Sequence, residues 1–124
     1  MVLMLIPFLG NTQNINDDFQ NILIRNVTVI DQSGKTEDVV VSILIKKKKL
    51  ELVTQDKIAV SQADISFDAN GGFILGTLEI GNPAAFLILD QDPRTNVDIM
   101  LDTRSYAVFA VSKGEVVLNK LLRI

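Results

Sequence analysis

The sequence predicts an all-β protein: a small β-sandwich or partly closed barrel built from N- and C-terminal strands, with at most one short helix. Three observations predict it. Short runs rich in β-branched and aromatic residues recur along the 124 residues. Clusters of Gly, Asp, Asn and Ser punctuate those runs. No long segment carries a helical period. The spacing corresponds to about eight to ten short strands, as in sandwiches and small barrels.

Each element follows from its residues. Residues 1–9 form the longest apolar run, broken by Pro7. A membrane-spanning helix needs about 20 apolar residues, so this run is too short to cross a bilayer. It lacks a basic leading region, and no small-x-small cleavage site follows in Gly10-Asn11-Thr12-Gln13. A short strand or ordered arm is therefore favoured over a secretory signal, and a truncated signal is the other reading. Residues 1–21 then read as an apolar arm and polar spacer, and residues 22–124 as a single domain.

Residues 22–30 (ILIRNVTVI) read as the first strand, and Asp31-Gln32-Ser33-Gly34 as a turn. Residues 39–45 make the second strand. Residues 46–49, four lysines, form a charged connection. Residues 50–53 resume in alternation, and residues 58–60 are a further short candidate. Residues 65–68 alternate cleanly before the turn signal Asn70-Gly71-Gly72. Residues 73–75 and 86–89 are buried-type runs, the latter closed by Asp90-Gln91-Asp92-Pro93. Residues 96–101 fit one or two helical turns. Residues 106–111 and 115–122 are the last strands, joined across Ser112-Lys113-Gly114. The expected core is Ile24, Val27, Val29, Val40, Ile43, Leu52, Phe67, Phe73, Leu87, Leu89, Val108, Phe109, Val111 and Val117. A one-residue change of strand register would move any of these to the other face.

Composition excludes whole classes of chemistry. The chain has no histidine, so the usual general base near neutral pH and the commonest metal ligand are missing. It has no cysteine, which removes disulfides and thiolate nucleophiles and leaves the redox compartment open. The formal charge of −3 argues against a nucleic-acid binder. A content of 48% hydrophobic residues argues against disorder. Localisation stays open, with the cytoplasm slightly favoured.

Each conspicuous group has a structural explanation. The lysines at 46–49 suit a solvated connection that discourages edge pairing better than an anion site, having no interleaved aromatic residues. Asp90, Asp92, Asp98 and Asp102 do not follow the Ca²⁺-loop pattern, and strand-end turns account for the first two. Two Asp in one turn are likewise poor as an opposed glycosidase pair. Gly71, Gly72, Gly76 and Gly81 do not space as a phosphate loop. Asn26-Val27-Thr28 fits a glycosylation sequon but lies in mid-strand. Ser33, Ser42, Ser61, Ser66, Ser105 and Ser112 have no histidine to activate them. No catalytic, cofactor-binding or metal-binding residue is therefore nominated, and no cofactor is expected.

Four stretches in order carry a resemblance: ILIRNVTVIDQSGKTEDVVVSI at 22–43, ISFDANGGFILG at 65–76, GTLEIGNPAAFLILDQDP at 76–93 and YAVFAVSKGEVVLNK at 106–120. Together they resemble the β-sandwich domain of the amidohydrolase superfamily. In that family a barrel of roughly 200 residues or more lies between the second and third motifs. Here those motifs meet at Gly76, and the barrel's His-x-His, its later histidines, its Lys and its catalytic Asp are absent. Leu75 stands where the family commonly has Pro, and Ala85-Phe86 near its usual Ala-Asp.

The resemblance implies two halves of one sandwich, 22–75 and 76–124, rejoined around residues 73–77 with the fold retained and the hydrolase activity lost. It points to a non-catalytic structural or interaction module that self-associates, as a homodimer or higher homo-oligomer, through the surface the barrel would have covered. The alternative is the non-catalytic part of a metal-dependent C–N bond hydrolase whose barrel comes from another chain or was excised.

Overall fold

The computed structural model describes residues 21–30 and 37–124. The apolar run at 1–9, the spacer up to residue 20 and the turn predicted at Asp31-Gln32-Ser33-Gly34 lie outside the described residues. Among the described residues the fold is mostly strand, in one mixed sheet that is not closed into a barrel.

The N-terminal half supplies β1 (Asn21–Val29), β2 (Val39–Lys46), β3 (Lys49–Thr54), β4 (Ile65–Asp68) and β5 (Phe73–Thr77). The C-terminal half supplies β6 (Ala85–Leu89), helices α1 (Val97–Leu101) and α2 (Thr103–Tyr106), then β7 (Ala107–Ser112), β8 (Glu115–Asn119) and β9 (Leu122–Arg123). The pairing order is β9-β4-β1-β5-β6-β7-β8, and β2 and β3 branch from β1. The two halves share this sheet and one interior.

β1 organises the sheet. One edge pairs antiparallel with β2 along its length. The other edge takes two parallel partners in succession, β4 at Ile22–Arg25 and β5 at Thr28–Val29. The turn at Asn70-Gly71-Gly72 therefore joins two strands that both pair with β1 rather than with each other. Its backbone is tied to β1 by Gly71 N–H donating to Asn26 O at 2.8 Å and Thr28 N–H donating to Gly72 O at 2.8 Å. Gly72 is obligatory by packing: a Cβ there would lie 2.6 Å from Ile88 Cγ2 and 3.0 Å from Ala69 O.

Strand alternation sets the inner face. Ile22 and Ile24 point inward while Leu23 points outward. A bulge between Ile24 and Val27, with Asn26 at φ 59°, inserts one residue and returns Val27 to the inner face. Val41, Ile43 and Ile45 of β2 face the same interior, joined by Leu50, Ile65, Phe67, Ile74, Phe86, Ile88, Phe109 and Val111. Burying each large apolar side chain contributes about 1.5–3 kcal/mol. Phe109 lies at the junction of the halves, its ring centroid 6.2 Å from Phe67 and 6.1 Å from Phe86.

Three expected core positions are exposed. Val40 is 55% exposed because β2 buries its odd-numbered residues on this side. Leu52 is 40% exposed because a bulge sets Leu50 opposite Ile45 and Leu52 opposite Leu44, which belongs to the outer face. Val117 is 67% exposed because it is the extra residue of a bulge in which Val116 opposes Val111 and Leu118 opposes Ala110. The strand expected at 58–60 is instead a loop with a 3-10 turn, Val60–Gln62, and Ile58 is buried beneath it.

Helical structure exceeds the single short helix expected. Asn96 caps α1, its side chain accepting from Asp98 N–H. Asp102, at φ −145° and ψ 66°, breaks the run, and α2 restarts after it. The last predicted strand also divides. β8 stays beside β7, and after Lys120-Leu121 the chain crosses to β4 as β9, where Ile124 N–H donates to Ser66 O at 2.8 Å. The two ends of the pairing order are therefore consecutive in the chain, which draws the sheet around its interior.

Candidate functional site

The residues that stood out in the sequence are separated by the fold. Asp92 accepts from its neighbour Arg94, whose guanidinium also reaches Asp38 at 2.7 Å. Those hydrogen bonds hold the Asp92 carboxyl below its ordinary range and push Arg94 up. Asp98 sits in the first turn of α1, and Asp102 accepts from Ser105 Oγ at 2.6 Å. No group of three or more Asp or Glu converges on a common point among the described residues. Of the serines, Ser42 and Ser66 are buried in β2 and β4, Ser61, Ser105 and Ser112 are exposed, and Ser33 lies outside the described residues.

Asp68 is held at the β4–β5 corner by two hydrogen bonds. Its Oδ1 accepts from Asn26 Nδ2 at 2.8 Å and from Asn70 N–H at 2.7 Å. The Asn26 hydrogen bond first, then that of Asn70 and the charge of Arg25, hold its pKa below the ordinary value of 3.8. A groove of about 480 Å³ lies beside this corner, lined in part by Asp68, Asn70, Asp90 and Lys120. Asp68 serves its own loop there: these two hydrogen bonds tie the β4–β5 corner to itself and to the β1 bulge. Asp68, Asp92 and Glu115 are all shifted downward, which keeps them ionised at neutral pH. A general acid needs the opposite shift.

The lysines at 46–49 form a tight hairpin turn. Lys46 pairs with Lys49, and Lys47 and Lys48 both take positive φ, 51° and 72°. The turn packs on another from the far half of the chain. Lys48 donates to Glu115 at 2.8 Å, Ala84 N–H donates to Lys48 O, and Gly114 N–H donates to Ala84 O. Gly114 is required there, since its Cβ would stand 2.4 Å from Lys48 Cβ.

The outer face of β6, β7 and β8 carries an apolar feature that the described residues leave uncovered. Leu89, Ile99 and Ala107 make a small buried cluster under α1, with Leu87, Tyr106 and Leu118 packed at its margin. Beyond it a groove of about 540 Å³ runs between α2 and β8, lined by Leu87, Ala107, Ala110, Val117 and Leu118, with Arg104 on its rim. Val97, Met100 and Leu101 of α1 are exposed. The sequence reading placed Leu87 and Val117 in the core and passed over Ala110 and Leu118. The alternation Val116-Val117-Leu118 carried the signal, but only the β8 bulge decides which of these faces out.

Comparison with known proteins found no matching family model, no matching curated protein and no matching solved structure.

Proposed function

We propose that this chain is a non-catalytic interaction module, resembling the sandwich domain of amidohydrolases without its barrel, and that it associates with a second copy through the outer face of β6, β7 and β8. The observation that carries this reading is the apolar groove of Leu87, Ala107, Ala110, Val117 and Leu118, which nothing among the described residues covers. The charges around it are self-complementary. Asp98 and Arg104 lie on the two helices beside the groove, and neither enters an ion pair among the described residues. The two-fold arrangement proposed pairs Asp98 of one copy with Arg104 of the other, and the reverse.

Light scattering and sedimentation across the micromolar range test it. The chain is expected to run as a dimer or larger species. Val117→Asp is expected to give a monomer with a cost to folding of under about 1 kcal/mol, since that residue lines the groove and is 67% exposed. A wild-type monomer throughout the range overturns the reading.

A further inference from the structure

Residues 39–45 of β2 are apolar except for Ser42. Ser42 is only 9% exposed and lies on the outer face, where strand alternation also sets Val40. Its hydroxyl makes no hydrogen bond among the described residues. Ser42 lines a groove of about 290 Å³ between β1, β2 and the chain after β3, together with Arg25, Val40, Asp56 and Lys57.

Arg25 reaches this groove from the β1 bulge. Its Nη2 donates to Ile58 O, its Nε is buried without a partner, and it enters no ion pair among the described residues. Asp68 feels its charge only from beyond ion-pair distance. A half-buried cation without a counter-ion is unfavourable, and a buried hydroxyl without a partner adds to that cost. One anion seated between them relieves both. The lining selects its chemistry. Arg25 and Lys57 against Asp56 leave one net positive charge, which a monoanion balances and a phosphate dianion exceeds. Val40, 55% exposed, offers apolar surface for a short carbon chain. The volume is at the small end for ligand sites.

We infer that this groove binds a small organic carboxylate. Its oxygens accept from Arg25 Nη1, the guanidinium nitrogen left for the groove, and from the Ser42 hydroxyl. Lys57 stands at the rim, and the carbon chain lies along Val40. The groove shares no residue with the surface proposed for self-association, so the two stand or fall separately.

The test is a titration of the isotope-labelled full chain with sodium butyrate, followed by nuclear magnetic resonance at fixed ionic strength. The Arg25 Nε–H signal and the backbone amides of Ser42 and Lys57 are expected to shift and saturate together. Butyramide, which has the same skeleton without the charge, is expected to leave them unmoved. Acetate is expected to bind about fivefold more weakly, having two fewer methylenes to place along Val40. Arg25→Gln is expected to weaken butyrate binding about tenfold or more. Should that variant fail to fold, Ser42→Ala is expected to weaken it about threefold. Lys57→Gln, at an exposed position, is expected to weaken it about twofold with a shallower salt dependence. Absence of saturable shifts, an equal response to butyramide, or unchanged affinity in either Arg25→Gln or Ser42→Ala overturns the proposal. Acetate binding as tightly as butyrate, or inorganic phosphate binding more tightly, overturns it in favour of a simple anion patch.

Discussion

The two faces of the sheet follow the same alternation and reach different ends. The inner face collects one continuous core from eight strands and the corner at Ala69, drawn from both halves of the chain. The outer face carries two small separate clusters. Leu23, Leu44 and Ile58 lie under the loop at 55–64, and Leu89, Ile99 and Ala107 lie under α1. Between α2 and β8 nothing in the described chain covers the apolar residues, and a groove remains. Inner-face burial comes from the curl of the sheet itself. Outer-face burial depends on which connection happens to cross it, so the uncovered part is where an intermolecular partner has room.

This comparison ranks the effects of substitution. Phe109→Ala removes the ring between Phe67 and Phe86 and is expected to lower unfolding stability by about 3–5 kcal/mol in urea titration. Ile58→Ala empties part of an outer cluster whose cover is a loop able to settle into the space, so about 2 kcal/mol is expected. Equal losses in the two would erase the distinction between the faces. Val117→Asp, in the uncovered groove, should alter assembly rather than stability.

The smallest effect concerns the corner between β4 and β5. The Asp68 carboxyl has a folded pKa below its ordinary 3.8. Its contribution to stability is therefore complete above 3.8 and is lost as pH falls through the lowered folded value. Asn26→Gly removes the main cause of the shift and suits the positive φ there. Urea midpoints compared between neutral pH and pH 3 should show a shallower acid decline in that variant. An unchanged decline would remove Asp68 from the account.

Much of the architecture was legible from residue order alone. The runs at 22–30, 39–45, 50–53, 65–68 and 86–89 became β1, β2, β3, β4 and β6 within a residue or so at each end, since short β-branched stretches between turn residues have few alternatives. Ile24, Val27, Ile43, Phe67, Leu89, Phe109 and Val111 are buried as expected, and Val29, Phe73, Leu87 and Val108 are half-buried. Leu52 and Val117 were misplaced at bulges, which shift the inward set by one residue and leave no mark in composition. Val40 was misplaced because the run at 39–41 is apolar throughout and hides its own alternation.

The candidate surfaces were less legible. The four consecutive lysines are plain in the sequence, but Lys113 joins them only because Gly114 lets two distant turns touch. The outer groove is invisible in one dimension, because Leu118 and Val116 look alike until a bulge sends them to opposite faces.

The sequence by itself determined the strand class, the turns and the want of imidazole and thiol chemistry, because backbone preference and side-chain inventory are local properties. Tertiary structure alone decided that β4 and β5 share one edge of β1, that the chain crosses after β8 to pair with β4, and which apolar residues stay uncovered. Those outcomes rest on register and on contacts between residues far apart in the chain, where a single inserted residue reverses the face that every later side chain presents.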